Sequence, residues 1–181
     1  MSIIVSKKIS INEVGLANNA TRIASPNFDA RPDGCAISLI VIHNISLPPQ
    51  QYGGNDIIKL FTNQLNSAEH SYYAQIHTLK VSSHFLIRRD GELLQFVSVL
   101  NRAWHAGISS WKNTERCNDF SIGIELEGSD FDAFENTQYA TLKRLLTALK
   151  KTYAIQDVVG HSDIAPGRKT DPGPYFDWSK I

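Results

Sequence analysis

Ile37-Ser38-Leu39-Ile40-Val41-Ile42-His43 carries apolar residues on both alternating faces. A half-exposed strand would alternate apolar with polar residues, so this run predicts a central strand covered on both sides by other layers. His43 ends the run just before Asn44-Ile45-Ser46-Leu47-Pro48-Pro49 breaks it, where a functional group would open onto a crevice. Near the other end of the chain, Ile155 to Val159 is a short apolar run that feeds His161 into a loop in the same way. That loop, Gly160-His161-Ser162-Asp163-Ile164-Ala165-Pro166-Gly167-Arg168-Lys169-Thr170-Asp171-Pro172-Gly173-Pro174, concentrates metal-ligand residue types between glycines and prolines.

Between these two runs lies the rest of a layered fold. After Gly53-Gly54, Asn55 or Asp56 is expected to cap a helix carrying Ile57, Ile58, Leu60, Phe61 and Leu65 and ending near Asn66. The polar and aromatic stretch 67–73 has no clear assignment. Ser83 to Arg89 and Glu92 to Val97 flank Asp90-Gly91, the strongest short-range hairpin signal in the chain. Trp104-His105-Ala106-Gly107 and the polar segment 109–118, with Trp111 inside it, read as pocket-lining loops. Phe120 to Gly128 alternates as a strand, with Ser121, Gly123, Glu125 and Glu127 on its polar face, where Gly123 is expected to leave open space over Glu125. Asn136 or Thr137 should cap a helix with the stripe Tyr139, Leu142, Leu145, Leu146, Leu149 and Tyr153. The fold class is therefore mixed α/β, a central mixed sheet with helices packed on its faces.

The chain has 181 residues, 42% of them hydrophobic, enough for one sizeable core, so a single domain over 1–181 is expected. Within it, residues 1–36, with the turn-rich stretch Ser25 to Gly34, read as a covering segment on a catalytic core of 37–181. A formal net charge of zero and a pI near 7.0 offer no basic field for nucleic acid or an anionic membrane. Cys35 and Cys117 are too few for a disulfide framework and read as free thiols, although one bridge stays open at this level. Met1 to Lys8 has its charges after a short apolar run, the wrong order for a signal peptide, and no stretch has the length of a membrane span. The expectation is a soluble, cytoplasmic protein.

Taken singly, each candidate site residue has a bland reading: His43 as a satisfied core histidine, Asp171 as a turn former, Glu125 and Glu127 as solvated glutamates, Lys169 as a surface lysine. The set changes the odds. His43, His161 and Asp171 together give two imidazoles and a carboxylate with a fourth position left for water, the composition of a catalytic zinc site. Glu125 is then a candidate general base, and Lys169 could reach an oxyanion forming on a carbonyl at the metal.

At the level of longer strings the chain resembles a known family. Val41 to Pro49, Leu86 to Glu92, Arg102 to Gly107, Glu115 to Gly128 and Arg168 to Gly173 are similar to the N-acetylmuramoyl-L-alanine amidases of the type-2 superfamily, in particular their cytosolic, peptidoglycan-recycling branch. The resemblance runs from about Ser25 to Trp178. It implies the type-2 amidase fold with one zinc per chain in a crevice at the strand ends, held by His43, His161 and Asp171, with Glu125 and Lys169 catalytic. It further implies Asn44 and Trp104 on the sugar side of the substrate and Lys80 and Arg116 near peptide carboxylates. Lys80 departs from the arginine usual there, replacing a bidentate fork with a point charge. The implied reaction is hydrolysis of the amide between the lactyl group of 1,6-anhydro-N-acetylmuramic acid and L-alanine, with the anhydro-muropeptide as partner; separately from the resemblance, a monomer is the expected form and no protein partner is indicated.

Two other readings compete. A non-catalytic peptidoglycan-recognition module shares the fold but typically lacks a complete triad. A non-haem iron oxygenase is suggested by His161-Ser162-Asp163, half of a facial triad, yet its distal histidine should lie downstream and His161 is the last in the chain.

Overall fold

The computed structural model describes residues 8–181, so the reading of Met1 to Lys8 falls, except for Lys8, outside the described residues. In chain order the elements are β1 (Thr21–Arg22), β2 (Phe28–Ala30), β3 (Leu39–Ile45), α1 (Asp56–Phe61), α2 (Tyr73–Ile76), β4 (Phe85–Ile87), β5 (Leu93–Gln95), β6 (Asn101–Ala103), β7 (Ser110–Trp111), β8 (Thr114–Glu115), β9 (Ser121–Glu127), α3 (Asn136–Thr152), β10 (Asp157–Gly160) and α4 (His161–Ile164). Six strands form the main sheet in the order β1-β5-β4-β9-β3-β10. Every pairing in it is parallel except β4 with β5, the hairpin turned by Asp90-Gly91. Gly91 has φ +88°, and a Cβ there would lie 2.9 Å from the Thr137 carbonyl oxygen, so the turn depends on glycine in both respects. The mixed sheet expected from the sequence is present.

Both faces of β3 and β9 are covered, as the first run required. Ile40, Ile42, Ile122, Ile124 and Leu126 pack under α3 through Leu142, Leu145 and Leu149. On the opposite face, Leu86 and Leu94 meet Ile57, Leu60 and Phe61 of α1, while Leu39, Val41 and Val159 pack with Ala106, Cys117 and Ile164. The site opens on this second face, between the two smaller clusters.

Several local expectations are corrected. The first helix stops at Phe61 rather than near Asn66, because Thr62 closes it and Asn63 turns left-handed at φ 60°, although Leu65 stays buried. α3 is capped by Glu135, not Asn136 or Thr137. Glu135 and Gln138 form a reciprocal capping box that places Asn136 inside the first turn. The unassigned stretch leads into the single turn of α2. The segment before residue 37 does more than cover the core. Its β1 is an edge strand of the main sheet, β2 pairs with β6, and the Arg31 guanidinium bonds the carbonyls of Val99, Asn118, Asp119 and Ser121. Strands of two and three residues leave no periodicity to read. Cys35 and Cys117 are both free.

Candidate active site

Three neighbouring parallel strands bring the site together. His43 of β3 lies directly opposite Glu125 of β9 in register, and Gly160 of β10 is paired with Ile42, so His161 follows at the level of His43. In a pleated sheet, paired residues on adjacent strands share a face. The chain returns Asp171 to this point through the Gly/Pro loop, whose Asp171 carbonyl accepts the Ser162 N–H at 2.9 Å.

The result is a triangle of ligand atoms. His43 Nδ1 lies 3.0 Å from His161 Nδ1 and 3.0 Å from Asp171 Oδ2, and His161 Nδ1 lies 3.1 Å from the same oxygen. These three residues are the potential metal-holding cluster among the described residues. His161 Nε2 lies 3.1 Å from the Ala106 carbonyl oxygen, which can only accept, so Nε2 carries the proton and Nδ1 of the neutral ring is bare. A bare nitrogen facing a carboxylate oxygen is repulsive until a cation lies between them. Ligand atoms around tetrahedral zinc, at bonds of about 2.0–2.1 Å, are separated by roughly 3.4 Å, close to the sides of this triangle. The donor set and its spacing therefore fit zinc.

Burial shapes the charges. Burial pulls His43 below the ordinary imidazole pKa, against the opposing pull of Asp171. Burial also pushes Asp171 up, but hydrogen bonds and positive charge from the His161 and His43 rings, when these carry a proton toward it, outweigh that and hold the carboxyl well below its usual range, and a cation at the triangle would act in the same sense. Glu125 is raised well above the usual carboxylate range by burial and then by the Asp171 charge, with Lys169 opposing. Its Oε2 is buried without a hydrogen-bond partner, an arrangement that proteins rarely leave in place away from a functional site. Glu127, two residues on, is instead fully engaged: it accepts the Gly53 N–H at 2.7 Å and the Arg89 N–H at 3.2 Å, with Arg88 at 3.7 Å. Neither glutamate lies on a solvated edge.

A cleft of about 550 Å³ lies over the triangle, lined among others by Asn44, Trp104, Glu125, Lys169 and Phe131. Lys169 is exposed in it, and Asn44 is held by Asp130 at 2.7 Å and the Pro172 carbonyl at 3.1 Å. The Trp104 indole donates to Asp29 at 3.1 Å, and Arg102 grips the same carboxylate at 2.5 and 2.6 Å, so the N-terminal segment orients this ring. Two of the residues that the resemblance implies for substrate do not line this cleft. Leu79 and Val81 line the cleft but Lys80 between them does not, and Arg116, ion-paired to Asp119 at 3.1 Å, lines a neighbouring pocket that shares Arg168 with the cleft. The 109–118 loop likewise lines that neighbour and not the cleft over the triangle.

Sequence reasoning missed His105 and His84. The expected open space beside Glu125 is occupied, since a Cβ on Gly123 would meet the His105 ring at 2.5 to 2.7 Å. Burial holds the His105 pKa well below that of a free imidazole. Its partner His43 is 62 residues away, so no local spacing announces the pair. Asp163, the carboxylate of the oxygenase reading, is engaged by the Gly160 N–H at 2.7 Å and lies outside the cluster.

A mixed sheet that sets two imidazoles, a carboxylate and an unpaired glutamate in one cleft has the equipment of a metal-assisted hydrolase. Residues 33–174 match the family model described as N-acetylmuramoyl-L-alanine amidase, and the chain belongs to that family of amide hydrolases. It is 51% identical over 171 residues to the 1,6-anhydro-N-acetylmuramyl-L-alanine amidase AmpD of Escherichia coli, covering 93% of each chain. A crystal structure of an AmpD derivative superposes with a TM-score of 0.92 at 52% identity, covering 94% of this chain and 96% of that one. The E. coli amidase AmiD, solved with the substrate anhydro-N-acetylmuramic acid-L-Ala-D-γ-Glu-L-Lys, matches with a TM-score of 0.59 at 31% identity, covering 96% of this chain and 64% of that one.

Proposed function

We propose that this chain, as a single domain, hydrolyses the amide between the lactyl group of 1,6-anhydro-N-acetylmuramic acid and L-alanine of the stem peptide, with one zinc ion held by His43, His161 and Asp171. The observation that carries the reading is the Nδ1, Nδ1, Oδ2 triangle with sides of 3.0 to 3.1 Å beside a buried, unpartnered Glu125 oxygen. Names and substrates of the AmpD and AmiD relatives supply the sugar and the peptide. Its place is the cytoplasmic recycling of peptidoglycan. A monomer is the proposed working form.

A zinc ion at the triangle supplies a Lewis acid that lowers the pKa of a water and polarises a carbonyl. Glu125, raised in pKa and with its Oε2 unpartnered, takes a proton from the attacking water and returns it to the departing alanine nitrogen. The water oxygen bonds to the lactyl carbon, the carbon–nitrogen bond breaks, and the products are a lactyl carboxylate and a free peptide amine. The Lys169 ammonium on the cleft wall faces the negative charge that develops on the carbonyl oxygen. Asn44 and Trp104 are held rigidly enough by Asp130, Asp29 and Arg102 to orient the sugar.

Mass spectrometry of products from an anhydro-muropeptide and from its reduced, non-anhydro counterpart tests the reading. The expected result is free stem peptide and anhydro-sugar from the first and far less product from the second. Binding of both without cleavage by zinc-loaded protein would favour a recognition module instead.

A further inference from the structure

His105 fills the space over Gly123 and makes two hydrogen-bonding contacts through its ring nitrogens. Its Nδ1 lies 2.9 Å from His43 Nε2, with the two rings edge to face at 84°, and its Nε2 lies 3.3 Å from the Ser121 hydroxyl. A neutral imidazole has one donor and one acceptor, so the direction of this chain decides what His43 presents on its far side. With the proton of His105 on Nδ1, His43 Nε2 would have to accept, and the proton of His43 would sit on Nδ1, the atom in the triangle. With the proton on His105 Nε2 and shared with Ser121, His105 Nδ1 accepts from His43 Nε2–H and leaves His43 Nδ1 bare. Only the second direction makes His43 a ligand.

We propose that His105, anchored by Ser121, is a positioning residue that holds His43 in the Nε2–H tautomer and so sets the affinity of the triad for its metal. The proposal rests on the zinc reading above. Metal-bound histidines are commonly oriented by a carboxylate, a carbonyl or water behind them. Here His161 has the carbonyl of Ala106, whereas His43 has a neutral ring that orients it without adding negative charge. Gly123 belongs to the same device, because any side chain there would take the volume of the ring.

Two measurements test it. Long-range proton–nitrogen NMR of zinc-loaded wild-type protein should show His105 protonated on Nε2 and bare on Nδ1; a proton on Nδ1 would overturn the proposal, and this experiment needs no variant to fold. Zinc affinity by competition with a chromogenic chelator should fall roughly tenfold to a hundredfold in His105→Leu, which fills the volume without an acceptor. His105→Asn, whose amide oxygen can stand where Nδ1 stood, should recover most of that loss. Equal affinity in wild type and a folded His105→Leu would reject the role of His105 while leaving the zinc centre intact. Wild-type protein that binds no zinc would instead remove the zinc reading and this proposal with it.

Discussion

Glu125 and Glu127 leave the same face of β9 two residues apart, and their surroundings divide their roles. Glu127 spends both oxygens on backbone N–H groups and Arg88, while Glu125 has an oxygen that nothing satisfies. Glu125→Gln should therefore keep zinc and slow turnover by roughly a hundredfold or more. Glu127→Gln should lower stability with little change in kcat. Steady-state kinetics with zinc content checked in each sample would decide, and the reverse pattern would mean the base is misassigned. His84 is a residue whose charge matters to folding rather than catalysis. Its Nδ1 accepts the Gly123 N–H and its Nε2 donates to the Asn101 carbonyl, both at 3.0 Å. Burial first and the Arg31 guanidinium second push its pKa down to about 3. The folded state thus binds fewer protons than the unfolded one, so the stability from a neutral His84 is complete above about pH 6.5 and is lost as pH falls toward 3. Between pH 7 and 5 this group should cost the metal-free protein about 2 kcal/mol. Denaturant unfolding at the two pH values checks it: His84→Asn should flatten the slope, and an unchanged slope would contradict the assignment.

At the level of elements, the sequence shows most where one local signal dominates. Asp90-Gly91 announces the hairpin, and the stripe from Tyr139 to Leu149 announces α3. The cap of α3 is less legible, since Asn136 and Thr137 are better intrinsic caps than Glu135 and only the reciprocal bond with Gln138 reverses the order. Alternation along β9 correctly sorts its faces, yet the polar face is not solvated, because the site and its histidines cover it. Gln138 shows how the helix is joined to the sheet. Its amide donates to the Ile87 carbonyl at 3.2 Å and the Glu127 carbonyl at 3.0 Å, and its oxygen accepts the Glu135 N–H at 3.0 Å. Gln138→Ala leaves two buried carbonyls unpaired and a void, and should destabilise the protein by about 2–4 kcal/mol. A loss below about 0.5 kcal/mol in denaturant unfolding would show that water replaces those bonds without penalty.

Over the whole molecule, the arrangement of the site follows from topology. Three adjacent parallel strands in register deliver Glu125, His43 and His161 to one level, although His43 and His161 are 118 residues apart. The ligand types were legible because an imidazole and carboxylates on a Gly/Pro loop have no use in an apolar core. Their convergence was legible only as chemistry, since spacing cannot report a contact made by strand order. Lys80 and Arg116 illustrate the limit: only the family resemblance implies carboxylate recognition for them, and neither is among the residues lining the cleft over the triangle. No helix among the described residues is long and apolar enough to cross a membrane.

The central claim is that His43, His161 and Asp171 hold one zinc ion on which amide hydrolysis depends. The most direct test measures zinc per chain and product release from an anhydro-muropeptide together, in wild type as purified, after chelation, after zinc is restored, and in Asp171→Ala. The predicted result is one zinc per wild-type chain, activity that disappears and returns with it, and loss of both in Asp171→Ala, with a lower melting temperature because metal binding also stabilises the loop. Full zinc and full activity in Asp171→Ala, or undiminished hydrolysis by chelated wild type, would contradict it.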